Sequence, residues 1–159
     1  MVQRVTGSAG AAALECVNPR KDRWAVRWDI VEKDGGTAEY CEAGFDGKPT
    51  EEDIMRTITS HINGETDAAI LRGFKWKGQA VYLSTENQLN FAAIERNGAI
   101  NYPLTVKVNE TEEGEAEYAT FGSREAFAEF SQAASLYIIE TVQEGWRRKD
   151  KIDVGQFKL

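Results

Sequence analysis

Few side chains in this sequence could carry out chemistry, and they are far apart along the chain. His61 is the only histidine, and Cys16 and Cys41 are the only cysteines. A histidine that acts as a general base needs a nucleophile within hydrogen-bond distance, and the neighbouring residues supply none. Zinc needs about four well-spaced ligands, so this set does not indicate a metal site. We therefore predict no catalytic residue, no metal and no cofactor, and expect the protein not to be an enzyme.

Three hydroxyl side chains stand where helices are expected to begin. Thr50 precedes Asp53 by three residues, Ser84 or the adjacent Thr85 opens a polar stretch that contains Gln88, and Ser123 precedes an apolar-periodic segment. A Ser or Thr at such a position accepts a hydrogen bond from a free backbone N–H of the first helical turn. These hydroxyls are therefore interpreted as helix caps and not as nucleophiles.

Three segments have the apolar spacing of helices. In 54–62 isoleucine recurs every four residues, and Asn63-Gly64 marks the expected stop or, alternatively, a break before a second helical turn over 67–71. A second helix is predicted over 85–96. The longest is predicted over 124–149, where apolar residues recur at spacings of three and four.

Strand patterns occur in pairs that flank turn residues. In the first strand, Trp24, Val26, Trp28 and Ile30 alternate with Ala25, Arg27, Asp29 and Val31. The predicted pairs are 24–31 with 37–45, 74–77 with 80–83, and 102–108 with 115–121, the last joined by an acidic loop. The predicted order is β-β-α-β-β-α-β-β-α. This is an α+β fold of antiparallel β-hairpins that alternate with three helices, with the long C-terminal helix packed on the sheet.

Length and composition set the domain prediction and exclude some functions. The chain has 159 residues, which suits one α+β domain over 18–152, a flexible N-terminal arm over 1–17 and a C-terminal tail over 153–159. Its net charge is −7, which argues against a nucleic-acid binder because such proteins need a positive surface. No apolar run is long enough to span a membrane, and no signal peptide is evident.

Aromatic residues near the end of the last predicted helix are the best candidates for a binding surface. Tryptophan is enriched in interface hot spots as well as in cores. Trp146 lies beside Arg147 and Arg148, and Tyr137 precedes it in the same helix. We predict that these four residues contribute to a protein–protein interface.

Four stretches of the sequence carry a resemblance to a known family. They are 18–24 (NPRKDRW), 73–78 (GFKWKG), 81–88 (VYLSTENQ) and 144–150 (EGWRRKD). Together they resemble small proteins encoded by phages and prophages of gut bacteria. Those proteins carry a domain of unknown function that is found among tail and tail-fibre-region proteins. The resemblance covers about residues 18–152.

The resemblance implies a non-enzymatic phage or prophage structural protein, tail-associated, that acts through protein–protein contacts. The alternative is an assembly chaperone or accessory factor for a tail or fibre protein, absent from the mature particle. The expected partners are other phage proteins or a second copy of the chain, with no nucleic acid, membrane or small-molecule substrate. The expected location is the bacterial host cytoplasm, or the virion after assembly.

Overall fold

The α+β prediction is confirmed by the computed structural model, which describes residues 1–158. The strands are β1 (Val2–Ser8), β2 (Leu14–Asn18), β3 (Arg23–Lys33), β4 (Thr37–Asp46), β5 (Phe74–Trp76), β6 (Gln79–Val81), β7 (Leu104–Glu110) and β8 (Ala116–Phe121). The helices are α1 (Glu51–Arg72), α2 (Thr85–Arg96) and α3 (Arg124–Asp150), with short 3₁₀ helices at Pro19–Lys21 and Val154–Phe157. From β3 onward the element order is the predicted one.

The chain divides into two compact units rather than the single domain predicted over 18–152. Unit 1 is Met1–Ile62 together with the chain from Arg148 onward, and unit 2 is Asn63–Arg147. Helices α1 and α3 each continue through a boundary between the units. The periodicity of a helix does not reveal which core each turn joins, so the sequence pattern did not show the division.

Unit 1 is built on a four-stranded antiparallel sheet with the order β1-β4-β3-β2. One face of the sheet packs against the α1 stripe formed by Ile54, Ile58 and Ile62, all of which are buried. The capping box predicted at the start of α1 is present. Thr50 Oγ1 accepts from Asp53 N at 3.1 Å, and the Asp53 carboxylate accepts from Thr50 N at 3.1 Å.

The alternation predicted along β3 breaks at a bulge. Trp28 is buried, but Asp29 has a φ of 52° and the pairing with β4 shifts between Trp28 and Val31. A bulge inserts an extra residue and reverses the side of the sheet that later residues face. Ile30 is therefore exposed, contrary to its predicted place on the core face.

The prediction of a flexible arm over 1–17 is wrong. Residues Val2–Ser8 form β1, which pairs with β4, and β2 begins at Leu14 and pairs with β3. Gly7, which lies in this segment, has a packing role. A Cβ atom on Gly7 would lie 2.1 Å from the hydroxyl oxygen of Tyr40, so only glycine leaves room for that ring.

The tail predicted over 153–159 also differs from the structure. The Asp153 side chain accepts from Gly155 N at 2.8 Å and begins the 3₁₀ helix Val154–Phe157. The ring of Phe157 is buried in the core of unit 1 with Val26 and Ile58. A single buried aromatic ring and a local cap therefore order a segment that lacks any periodic pattern.

Unit 2 contains the two remaining hairpins, β5–β6 and β7–β8, with α2 and α3. The buried face of α3 packs on β7 and β8, as predicted, through Phe127 and Phe130. The acidic tract lies at the β7–β8 turn, as predicted.

Helix α1 does not stop or break at Asn63-Gly64 but continues to Arg72. A helical Gly costs only about 1 kcal/mol relative to Ala, which packing of the later turns can offset.

Candidate protein-interaction surface

The outer face of α3 carries an apolar stripe, formed by Leu136, Ile139, Gln143 and Trp146. The three apolar members are 55%, 52% and 57% exposed, respectively, and Gln143 is exposed as well. Spacings of three, four and three residues place all four on one side of a helix. Large apolar side chains in such a row are typical of a surface that a partner covers. We call this set the α3 stripe.

The opposite face of α3 explains why the stripe points outward. Phe127, Phe130 and Ala134 are buried and belong to the core of unit 2. Because a helix has one face toward its own core, residues about half a turn away must face solvent or a partner. The sequence prediction of a partner-facing Trp146 agrees with its exposure, while Leu136 and Ile139 were missed because only aromatic and arginine side chains were considered.

Charged residues flank the α3 stripe. Arg147 Nη2 lies 2.8 Å from Glu144 Oε2 one turn earlier, and both side chains are more than half exposed. Glu140 is also exposed on this part of the helix. An exposed pair of this kind contributes roughly 0–1 kcal/mol, so Arg147 can exchange its partner at little cost.

Tyr137, a predicted interface residue, packs inside unit 2 instead. Its hydroxyl donates to the Ala69 carbonyl oxygen at 2.7 Å, and its ring stacks on Phe74 with centroids 5.7 Å apart. It directly follows Leu136 in the chain, but a rotation of about 100° per residue moves it to the inner side of α3. The prediction for Tyr137 used residue type and position along the helix and did not include the helical phase.

Arg148 belongs to unit 1, whereas Trp146 and Arg147 belong to unit 2. Its Nη2 atom lies 3.3 Å from Asp29 Oδ2, and its side chain is 30% exposed. Asp29 is the residue of the β3 bulge with positive φ. This contact gives Arg148 a role within unit 1, and its predicted place in an interface is not supported by its position.

The fold brings His61 and Cys41 together although the local sequence offered His61 no nucleophile. Cys41 Sγ lies 3.8 Å from His61 Nε2 and 3.8 Å from Arg4 Nη1, a donor to the sulfur. Trp28 pairs with Cys41 across β3 and β4, and its ring meets His61 edge to face at 5.8 Å. Strand pairing and the packing of α1 create this cluster, and no local sequence motif predicts it.

Burial limits what this thiol and imidazole can do. Cys41 is 2% exposed and belongs to the core of unit 1 with Trp28 and Ile58. Reactive cysteines are partly exposed, whereas buried ones behave as small apolar residues. The cluster therefore serves packing at the edge of the core, where the sulfur is not accessible to a substrate.

A second buried cluster, also missed from the sequence, centres on Arg27. Its guanidinium lies 2.6 Å from Glu15 Oε2 and 2.7 Å from Glu42 Oε2, and it donates to the Ala12 carbonyl at 3.1 Å. Arg27 is only 7% exposed. Burial disfavours the charged guanidinium, but the bonds to Glu15 and Glu42 outweigh it, so the pKa of Arg27 lies above its ordinary value.

A shallow cleft with a volume of about 470 Å³ lies in unit 2, between the start of α2 and the β7–β8 turn. Its charged lining residues are Glu86, Lys107 and Glu110. Lys107 Nζ donates to Glu110 Oε2 at 2.6 Å, and this bond raises the pKa of Lys107. A protonated lysine held by a carboxylate cannot act as a base or nucleophile, so the cleft offers no evident chemistry.

Metal binding and membrane insertion are two further function classes to consider. Over residues 1–158 no three His, Cys, Asp or Glu side chains are placed so that they could hold a metal ion. Within the same residues, each helix is too short or too polar to cross a bilayer.

Comparison with known proteins identifies no relative of this chain. No protein-family model, no curated protein and no solved structure matches this chain. The resemblance to phage proteins therefore stays a prediction from the sequence.

Proposed function

We propose that this protein is a non-enzymatic structural protein of a phage or prophage, tail-associated, that works through protein–protein contacts. The observation that supports a contact role is the α3 stripe, in which three large apolar side chains are each more than half exposed. The phage context comes from the sequence resemblance alone. The protein is made in the bacterial host cytoplasm and joins the particle during assembly.

The arrangement of chemical groups also favours contact over catalysis. In the nearest approach to a catalytic pair, Cys41 beside His61, the thiol is buried, and Lys107 is bound to Glu110. An apolar stripe on a 27-residue helix needs no further chemistry, because burial of its side chains by a partner is itself favourable.

Mass spectrometry of purified particles from the source phage, or from an induced prophage, tests the proposal. We expect the protein at a fixed molar ratio to the capsid protein. Its absence from particles, together with abundance in the lysate of infected cells, would overturn the proposal. That result would favour the assembly chaperone or accessory factor for a tail or fibre protein.

A matched pair of variants connects incorporation to the α3 stripe. Trp146→Ala should lower the amount in particles several-fold while the melting temperature stays within a few degrees. Leu89→Ala is the control, since Leu89 is 68% exposed on α2, outside the stripe. Equal incorporation of both variants would show that the stripe is not the contact surface.

A further inference from the structure

The spacing of the α3 stripe suits another helix as its partner. Its residues follow one another at three, four and three positions, an average near the 3.5-residue repeat of two-helix seams. With a rise of about 1.5 Å per residue, the stripe from Leu136 to Trp146 is roughly 15 Å long. A seam of that length is covered by three turns of one opposing helix.

The two ends of the stripe are complementary to each other. Leu136 and Ile139 form an aliphatic end, and Trp146 forms an aromatic end. If two copies of α3 pack antiparallel about a two-fold axis near residue 143, Trp146 of each copy lies over Ile139 of the other. Two equivalent Trp146–Ile139 contacts then form by one operation, as in an isologous interface.

The charges beside the stripe match the same arrangement. Glu140 and Arg147 are seven residues apart and therefore lie on one flank of the helix. The same two-fold axis places Glu140 of one copy opposite Arg147 of the other, twice per dimer. Arg147 now pairs with Glu144 on its own helix through an exposed contact that is cheap to exchange.

Gln143 is the one polar member of the stripe and lies next to the proposed axis. A side-chain amide can both donate and accept, so two glutamines related by a two-fold axis can bond to each other. A single polar residue within an apolar seam is a known device for setting register.

We propose that the α3 stripe binds the α3 stripe of a second copy of this chain, with the two helices antiparallel. The inference rests on the contact role proposed above and names its partner. The proposed assembly is a two-fold homodimer in which Trp146 is the main anchor. The Glu140–Arg147 pairs determine that the two helices run antiparallel.

Sedimentation equilibrium of the full-length protein over a wide concentration range is the first test. A dimer is expected, and Trp146→Ala should weaken it by at least about tenfold, while Leu89→Ala leaves it unchanged. Circular dichroism of each variant confirms that the monomer is folded. A wild-type chain that stays monomeric throughout overturns the proposal.

A charge exchange tests the direction of the helices. Arg147→Glu and Glu140→Arg should each weaken the dimer several-fold, because each places like charges opposite one another. The double variant Glu140→Arg/Arg147→Glu should restore the dimer, since both cross-pairs return with their signs reversed. A double variant that is as weak as the singles contradicts the antiparallel pairing.

Cross-linking gives an independent measure of the axis. In a Cys16→Ser background, Gln143→Cys should form a disulfide-linked dimer under mild oxidation, because the two positions meet near the axis. Gln132→Cys is the control on the same helix face, 11 residues from position 143. It should cross-link only if the helices are parallel, which would overturn the proposal.

The outcomes separate this inference from the proposed function. A strictly monomeric chain that is recovered in particles contradicts the dimer and leaves the structural role in place. A dimer that is absent from particles supports the pairing and contradicts the virion role.

Discussion

The two units of this protein bury their interiors by different means. In unit 1 an isoleucine stripe on α1 packs against a β-sheet, and the buried Arg27 of the same unit pairs with two partly exposed glutamates. In unit 2 the interior is dominated by aromatic rings that converge on Phe130. We infer that charge pairing contributes to the stability of unit 1, whereas ring shape dominates in unit 2.

The units also differ in surface charge. Unit 2 contains 13 acidic and 7 basic residues, so its net charge of −6 accounts for most of the chain's −7. Unit 2 also carries the exposed α3 stripe. An acidic surface keeps a chain soluble while one apolar strip remains available for a partner.

The largest effect is expected from loss of the central ring of unit 2. Phe130→Ala removes contacts with five aromatic residues, Phe74, Trp76, Phe91, Phe121 and Phe127. It should lower the free energy of unfolding by about 3–5 kcal/mol, the usual range for a buried Phe. Hydrogen-exchange mass spectrometry should show the loss of protection in peptides from 63–147. An equal loss of hydrogen-exchange protection in peptides from 1–62 would show that the two units unfold together.

The buried arginine of unit 1 should have the next largest effect. Arg27→Ala leaves Glu42 partly buried without its partner, and we expect a cost of about 2–3 kcal/mol because Glu15 can rehydrate. Arg23→Ala, on the same strand but exposed, is the control and should cost under about 1 kcal/mol. Urea denaturation measures both. A similar loss of stability in the two variants would show that the buried interactions of Arg27 stabilise the fold no more than the exposed pair of Arg23.

Two helical glycines of unit 2 allow the effect of close packing on stability to be distinguished from the effect of helix propensity. A Cβ on Gly145 would lie 2.6 Å from Thr66 Oγ1, whereas nothing lies within 4 Å of a Cβ on Gly64. Gly145→Ala should lower the free energy of unfolding by about 1–2 kcal/mol through overpacking. Gly64→Ala should raise it by up to about 1 kcal/mol. Thermal denaturation compares them, and Thr66→Ala should relieve the Gly145→Ala defect if the overlap is its cause.

The smallest effect concerns the pH dependence of unit 1. Hydrogen bonds from Thr50 hold the pKa of Asp53 below its ordinary value. The carboxylate therefore stabilises the fold above the unfolded-state pKa, and this contribution is lost as the pH falls through the lower folded-state value. Asp53→Asn should melt at a lower temperature than wild type at pH 7, and the difference should shrink as the solution is acidified through that value. A difference that is constant with pH would contradict this role.

Local sequence signals predicted much of the fold. The capping box at Thr50 and Asp53, the three helices and the hairpins are confirmed because each depends on residues a few positions apart. The β3 bulge at Asp29 and the strand β1 were missed. A bulge has no local signature in this segment, and an edge strand such as β1 is stabilised by backbone bonds to β4, which apolar patterning does not report.

The candidate surface was predicted only in part. Trp146 was identified from residue type and lies on the exposed face, but Tyr137 was assigned to the same surface and packs against Phe74 instead. The phase of α3 relative to its core decides which side is free. The buried positions Phe127, Phe130 and Ala134 fix that phase, and their apolar spacing is visible in the sequence.

The sequence by itself determined the α+β class, the helix caps, the helix and hairpin positions and the acidic balance of this chain. Only the tertiary structure decided that Arg27 meets Glu15 and Glu42, and that Cys41 meets His61. Caps and periodicity act between residues within one or two turns, so they can be read along the chain. Contacts between distant segments depend on strand order and register, and a shift of one residue would exchange the two faces of a strand.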